Sequence, residues 1–212
     1  MREDPPVLDF ASLENATVTD SPFKYLIAEG VLTRANAEDI RRDYPEITRS
    51  GFLPLSRLKA RGAFLELIED LQSPRLADIL SAKLGLELRD KPRMITVRRH
   101  SKQDDGRIHN DSVSKISTML VYLNDDWEKE GGAIRALNGP GDMDDYAAEV
   151  APVAGNVFAF ARSDTSWHGH PPFKGERYVV QVTFLTSAEE LERKESRGGL
   201  QHLLKKLNPF AS

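Results

Sequence analysis

The chain has no cysteine. That single absence excludes disulfides, thiolate zinc sites, iron–sulfur clusters and a Cys nucleophile together. Long apolar runs are missing as well, and none approaches the ~20 residues a helix needs to cross a bilayer. There is no basic excess either. Lys and Arg number 29 against 33 Asp and Glu, for a formal charge of −4. Nothing in that balance gathers a phosphate backbone, so nucleic-acid binding is not expected. The opening Met1-Arg2-Glu3-Asp4-Pro5-Pro6 carries acid where a secretory leader carries base, and no apolar stretch follows it. A cytoplasmic protein is the expectation. Any metal it holds must be bound by imidazole and carboxylate.

At 212 residues, with 40% hydrophobic and 29% charged residues, one domain has enough chain to bury a core. Pro5-Pro6 and Asp20-Ser21-Pro22 punctuate what reads as a loose lead-in. From there to about Leu88 the apolar spacing predicts helices. Phe23, Leu26 and Ile27 form one stripe, and Ala35, Ile40 and Tyr44 a second. Phe64, Leu65, Leu67, Ile68 and Leu71 form a third, and Leu76, Ile79, Leu80 and Leu84 a fourth that stops at Gly85.

After Lys91-Pro92 the period changes. Met94–Arg99, Ile116–Leu123, Ala133–Leu137, Glu149–Pro152, Asn156–Ala161 and Arg177–Thr186 are short β-rich runs between Gly, Asp, Asn and Pro clusters. Strands in series without helices between them predict a sandwich, jelly roll or barrel. Ser187–Ser196 returns to a helical, charge-alternating pattern. Leu200, Leu203, Leu204 and Leu207 mark a last amphipathic helix, expected to dock on its own domain or on a second subunit as a homodimer. The run Ile116–Leu123 is apolar on both faces and reads as buried on both sides. In Arg177–Phe184, Arg177, Val179, Gln181 and Thr183 share one face, while Tyr178, Val180, Val182 and Phe184 share the other. Two readings of this strand stand: a surface strand with its polar face in water, or a barrel strand whose polar face lines a cavity.

Five histidines are present, and two lie among other chemistry. His109 and Asp111 stand at i and i+2, so on an extended segment they point the same way. Ser166-Trp167-His168-Gly169-His170 supplies a second imidazole pair, and an antiparallel barrel can bring it opposite His109. Two imidazoles and one carboxylate on one face of a metal leave positions open, the donor set of non-haem Fe(II) oxygenases. Arg177, at the head of the polar-faced strand, suits a bidentate pair with a dicarboxylic acid reaching in from the metal. Arg98, Arg99 and Arg107 flank the first His and read as solvated or structural charges, or as a draw for an anionic substrate.

With these residues in view the chain resembles the 2-oxoglutarate/Fe(II)-dependent dioxygenases, in their prolyl 4-hydroxylase-like branch. Tyr122-Leu123-Asn124-Asp125-Asp126-Trp127 with Gly131-Gly132-Ala133-Ile134-Arg135 is similar to that branch's motif, as is Val153–Phe160 leading to Ser166-Trp167-His168-Gly169. The resemblance spans about residues 91–187. It implies Fe(II) on His109, Asp111 and His168, the last preferred over His170 by the motif around it. It implies Arg177 on the distal carboxylate of 2-oxoglutarate, with Tyr122 hydrogen-bonded to the co-substrate and Gln181 and Thr183 completing the pocket. The branch often has Tyr where Arg99 stands. O2 is then the third reactant, and hydroxylation of a C–H bond with decarboxylation of 2-oxoglutarate to succinate the reaction. A prolyl residue in a protein or peptide, a free amino acid or another small metabolite is the substrate class implied.

The expected architecture is α+β with a mainly β core. It is one domain over 1–212: helical support over 1–90, a double-stranded β-helix (jelly-roll, cupin-like barrel) over 91–187, and a short helical tail over 188–212. A non-redox cupin-like module that binds a metal or small molecule is the competing reading. Arg177 separates the two, because a plain metal-binding barrel has no need of a carboxylate clamp.

Overall fold

A strand that is apolar on one face and polar on the other must separate two environments, and the longest strand of this protein does so. The computed structural model describes residues 5–196. Ten strands follow in chain order: β1 (Val18–Thr19), β2 (Tyr25–Ala28), β3 (Leu53–Pro54), β4 (Arg93–Ser101), β5 (Lys115–Tyr122), β6 (Ile134–Leu137), β7 (Tyr146–Val150), β8 (Val157–Ala161), β9 (His168–Gly169) and β10 (Gly175–Leu185). Four helices precede β4: α1 (Phe10–Asn15), α2 (Arg34–Arg42), α3 (Gly62–Gln72) and α4 (Pro74–Leu84). The main sheet has the antiparallel order β1-β2-β8-β5-β10-β4-β3, and β7-β6-β9 form a smaller sheet that faces it. This is the jelly-roll core expected from the strand pattern. After β10 the chain is helical over 188–196, as its charge alternation predicts; the stripe Leu200–Leu207 lies outside the described residues.

The helices end where local chemistry ends them. Ser73 caps α4 by accepting the Leu76 N–H, Pro74 opens its first turn, and Gly85 closes it in the left-handed region at φ 69°. Thr33 caps α2 through the Asn36 N–H. Phe64, Leu67, Ile68 and Leu71 of α3 and Leu76, Leu80 and Leu84 of α4 join Val180, Val182 and Phe184 of β10 in one core. Met119, Val121 and Leu123 join it from β5 and its end, while Leu120 and Tyr122 face the opposite way into a second cluster with Phe158, Phe160 and Val179. So β5 is buried on both faces. The apolar side of β10 packs under the helices, and its polar side turns into the barrel.

Two expectations for the N-terminal segment are overturned. Phe23, Leu26 and Ile27 do not form a helix. The chain is extended there as β2, pairing Tyr25 with Phe160 and Ala28 with Val157. The i, i+3, i+4 spacing is real but short, and Phe23 and Tyr25 enter the inner cluster while Leu26 enters the outer one, as strand alternation requires. The lead-in is not loose either. Asp9 caps α1 by accepting the Ala11 N–H, and the buried Asp70 carboxylate accepts the Val7 and Leu8 N–H groups at 2.7 and 3.0 Å. Residues 1–90 are therefore not helical support alone, since they also supply β1, β2 and β3 to the main sheet.

Candidate active site

The two halves of the histidine constellation meet by backbone pairing. His109 and His168 form an antiparallel bridge in which each N–H donates to the other's carbonyl at 3.0 Å. Their rings lie 4.2 Å apart between centroids. One ligand atom from each of His109, Asp111 and His168 lies within 4.8 Å of the other two. His109 is exposed, while Asp111 and His168 are buried.

Each ligand is oriented by a partner behind it. His109 Nδ1 donates to the Arg107 carbonyl and His168 Nδ1 to the Ser166 carbonyl, both at 2.9 Å. A carbonyl only accepts, so in both rings Nδ1 carries a proton and Nε2 is the nitrogen turned to a metal. Burial, and then His109 beside it, pushes His168 down to about 4, so this imidazole is neutral at pH 7 as a ligand must be. Asp111 accepts from Lys115 Nζ at 2.5 Å and from Thr118 Oγ1 at 2.7 Å. Burial works against its charge, but the Lys115 ammonium, His168 and the Thr118 hydroxyl outweigh it and hold the carboxyl below its ordinary range.

Behind the triad lies a cavity of about 250 Å³ whose lining includes Arg98, Lys115, Thr118, His170, Arg177 and Gln181, with Leu120, Ile134 and Phe160 as apolar wall. Arg177 is 2% exposed. Its Nε donates to the Gly132 carbonyl at 2.8 Å and an Nη to Tyr122 Oη at 3.3 Å, with the guanidinium 5.2 Å from the Tyr122 ring centre. Burial weighs against its charge, and among the described residues no carboxylate forms an ion pair with it. A buried cation held by neutral groups alone is a receptor for an anion.

Not every expected residue takes its expected place. His109, Asp111, His168, Arg177 and Gln181 all border the cavity. Tyr122 is fully buried and reaches it through Arg177. Thr183 stands further back, its hydroxyl accepting from Gln181 Nε2 at 3.3 Å. Arg99 is on the outer side of β4, donating to Glu176 at 3.0 Å and stacked on Tyr178. Arg107 pairs with Asp104 at the surface.

Arg98, next to Arg99 on β4, is turned inward by strand alternation and stands opposite Val179. Burial pushes its guanidinium down to about 10, with Asp105 opposing that fall and Arg177 adding to it. His170, passed over for His168 as a ligand, is 4% exposed and lines the cavity. A Cβ on Gly106 (φ 83°) would come within 2.3 Å of the His170 ring, so that glycine makes room for it. Lys115 and Thr118 were also missed as partners of Asp111; their i+4 and i+7 spacing is a signal only once the intervening turn into β5 is known.

Two imidazoles and one carboxylate are a donor set that would hold Fe(II), and the buried guanidinium would suit the carboxylate of a 2-oxo-dicarboxylate. Residues 95–185 match the model of the 2OG-Fe(II) oxygenase superfamily. A prolyl 4-hydroxylase from Phytophthora capsici is 19% identical, with 87% of this chain and 68% of that one covered and a TM-score of 0.56. HygX from Streptomyces hygroscopicus, solved with nickel and 2-oxoglutarate, is 14% identical over 77% and 83% of the two chains, with a TM-score of 0.54. A Trichoplax adhaerens prolyl hydroxylase in complex with a hypoxia-inducible-factor peptide fragment is 14% identical over 81% and 86%, with a TM-score of 0.52. No curated protein matches in sequence. The fold is thus one that prolyl 4-hydroxylases have, and the His109, Asp111 and His168 donor set fits the Fe(II), 2-oxoglutarate and O2 of the matched superfamily. It is over residues 95–185 that the chain is similar to the 2OG-Fe(II) oxygenase superfamily.

Proposed function

We propose that the protein hydroxylates an unactivated C–H bond, coupled to decarboxylation of 2-oxoglutarate to succinate. When bound, Fe(II) and 2-oxoglutarate supply the oxidising power drawn from O2. The chain's own residues do the placing. His109 and His168 offer Nε2 atoms fixed by carbonyls behind them, and Asp111 offers a carboxylate kept ionised by Lys115 and Thr118. Arg177, with Tyr122 beside it, takes the distal carboxylate of the co-substrate, and Gln181, held by Thr183, adds a donor or acceptor to the same pocket. Leu120, Ile134 and Phe160 keep water from the reacting end.

The observation that carries this reading is Arg177, a buried guanidinium that lines the same cavity as the triad and forms no ion pair with a carboxylate among the described residues. A metal-binding module of the cupin kind has no use for it. The substrate is a prolyl residue of a protein or peptide, or a small metabolite such as a free amino acid. The peptide bound in the Trichoplax adhaerens enzyme supports the first of these for the fold.

The test is an anaerobic titration with Fe(II) and then 2-oxoglutarate, following the weak visible metal-to-ligand charge-transfer absorption, beside Arg177→Ala. The expected result is a band in the wild type that needs more co-substrate in the variant. Fe(II) binding without a band would replace this reading with the cupin-like one.

A further inference from the structure

Arg98 enters the cavity from β4 and borders it together with Arg177 and the triad. It is 8% exposed. Only its Nη1 is engaged among the described residues: it donates to Ser101 Oγ at 3.4 Å and lies 3.4 Å from Asp105 Oδ2. Phe52 stacks on the guanidinium at 4.3 Å. Nε is buried without a partner, and two residues earlier on the same strand face Thr96 Oγ1 is buried without one too. An orphaned donor on a buried cation is costly unless something completes it. One long ion pair to a half-buried loop aspartate does not.

The charges of the proposed complex leave Arg98 over. 2-Oxoglutarate has two carboxylates. The one beside its keto group goes to the metal, and the distal one to Arg177. Fe(II), Lys115, Arg177 and Arg98 would bring five positive charges against four negative ones from Asp111, Asp105 and the two co-substrate carboxylates, which leaves one positive charge over. A second anion is therefore wanted, and the planar fork of an arginine fits a carboxylate.

Resting on the oxygenase reading above, we propose that Arg98 receives a carboxylate of the molecule to be oxidised. The substrate is then a small carboxylate-bearing compound and not an internal prolyl residue, which has no carboxylate to offer. The cavity of about 250 Å³ has the same bearing, being smaller than the ~300–1,000 Å³ of a typical drug-sized ligand site.

The probe is acetate, with acetamide as its uncharged counterpart, added to the full chain loaded with Zn(II) and saturating 2-oxoglutarate. The readout is the Arg98 Nε–H resonance, assigned by its disappearance in Arg98→Lys. The expected result is a saturable shift with acetate and none with acetamide, while Arg98→Gln leaves the 2-oxoglutarate Kd within twofold. If acetate has no effect once 2-oxoglutarate saturates, or if Arg98→Gln weakens 2-oxoglutarate tenfold or more, the carboxylate at Arg98 is the co-substrate's and the proposal falls. Equal shifts from acetate and acetamide overturn it as well. Should Arg98→Gln fail to fold, Arg98→Lys keeps the buried charge and carries the affinity comparison. Failure of the oxygenase reading shows separately, as a wild-type Zn(II) protein that does not bind 2-oxoglutarate by calorimetry. Acetate titrated into that co-substrate-free protein still decides whether Arg98 receives a carboxylate.

Discussion

The two faces of β10 do different work with the same backbone. On the outer face Val180, Val182 and Phe184 are buried among helix side chains that all want the same thing, removal from water. On the inner face Arg177 and Thr183 are buried too and Gln181 is half-buried, but each is answered by a specific partner: the Gly132 carbonyl, Tyr122, or one another. The outer face tolerates any well-fitting apolar shape. The inner face holds polar groups out of water with capacity to spare, and spare capacity in a buried site is what binds a ligand. Burial alone therefore does not distinguish core from site; satisfaction of hydrogen bonds does.

Substitutions can break that contrast, and the largest effect is expected inside. His168→Ala or Asp111→Ala should abolish 2-oxoglutarate turnover while the circular dichroism spectrum stays that of the wild type; retained turnover in either removes that residue from the triad. Phe184→Ala, on the outer face of the same strand, should cost about 3–5 kcal/mol of stability in denaturant unfolding. The co-substrate affinity of its folded fraction should be unchanged. Arg177→Ala should weaken 2-oxoglutarate by about 2–4 kcal/mol, the loss of one partner of a desolvated charged pair, with little change in Fe(II) affinity. An unchanged KM for 2-oxoglutarate would remove the clamp. The smallest effect belongs to neither face. Gly85→Ala puts a Cβ on the left-handed residue that ends α4, where no atom but Lys24 Nζ at 3.8 Å comes near, so the strain alone should cost about 1–2 kcal/mol in stability and leave turnover as it is.

A good part of this was legible in the residues. Helices α2, α3 and α4 were marked by apolar spacing sustained over two or more turns and by explicit ends, Gly85 being the clearest. The strands β4, β5, β6, β8 and β10 were marked by β-rich runs between turn residues, β7 only at its end, and β10 by an alternation of its two faces. The stripe Phe23, Leu26 and Ile27 misled because three residues spaced at 3 and 4 cannot tell a helix turn from a strand that is buried on both faces. Short strands such as β9, two residues long, have no pattern of their own and exist only because a neighbour pairs with them.

Within the site, the residue types came from the chain and the partnerships from the fold. His109 with Asp111, His168 in its motif and Arg177 nine-tenths of the way along the barrel were visible as donors of the right chemistry. That Arg98 and not Arg99 faces the cavity depends on the register of β4 against β10, since a shift of one residue would exchange them. That His170 is a cavity residue depends on the room left by Gly106, and that Lys115 and Thr118 hold Asp111 depends on how the chain turns into β5. The sequence by itself determined which groups the protein has to work with and where its period changes from 3.6 to 2. Only the tertiary structure decided which of the polar groups are left unsatisfied, because that is a property of the pairs they form across the barrel and not of any segment alone.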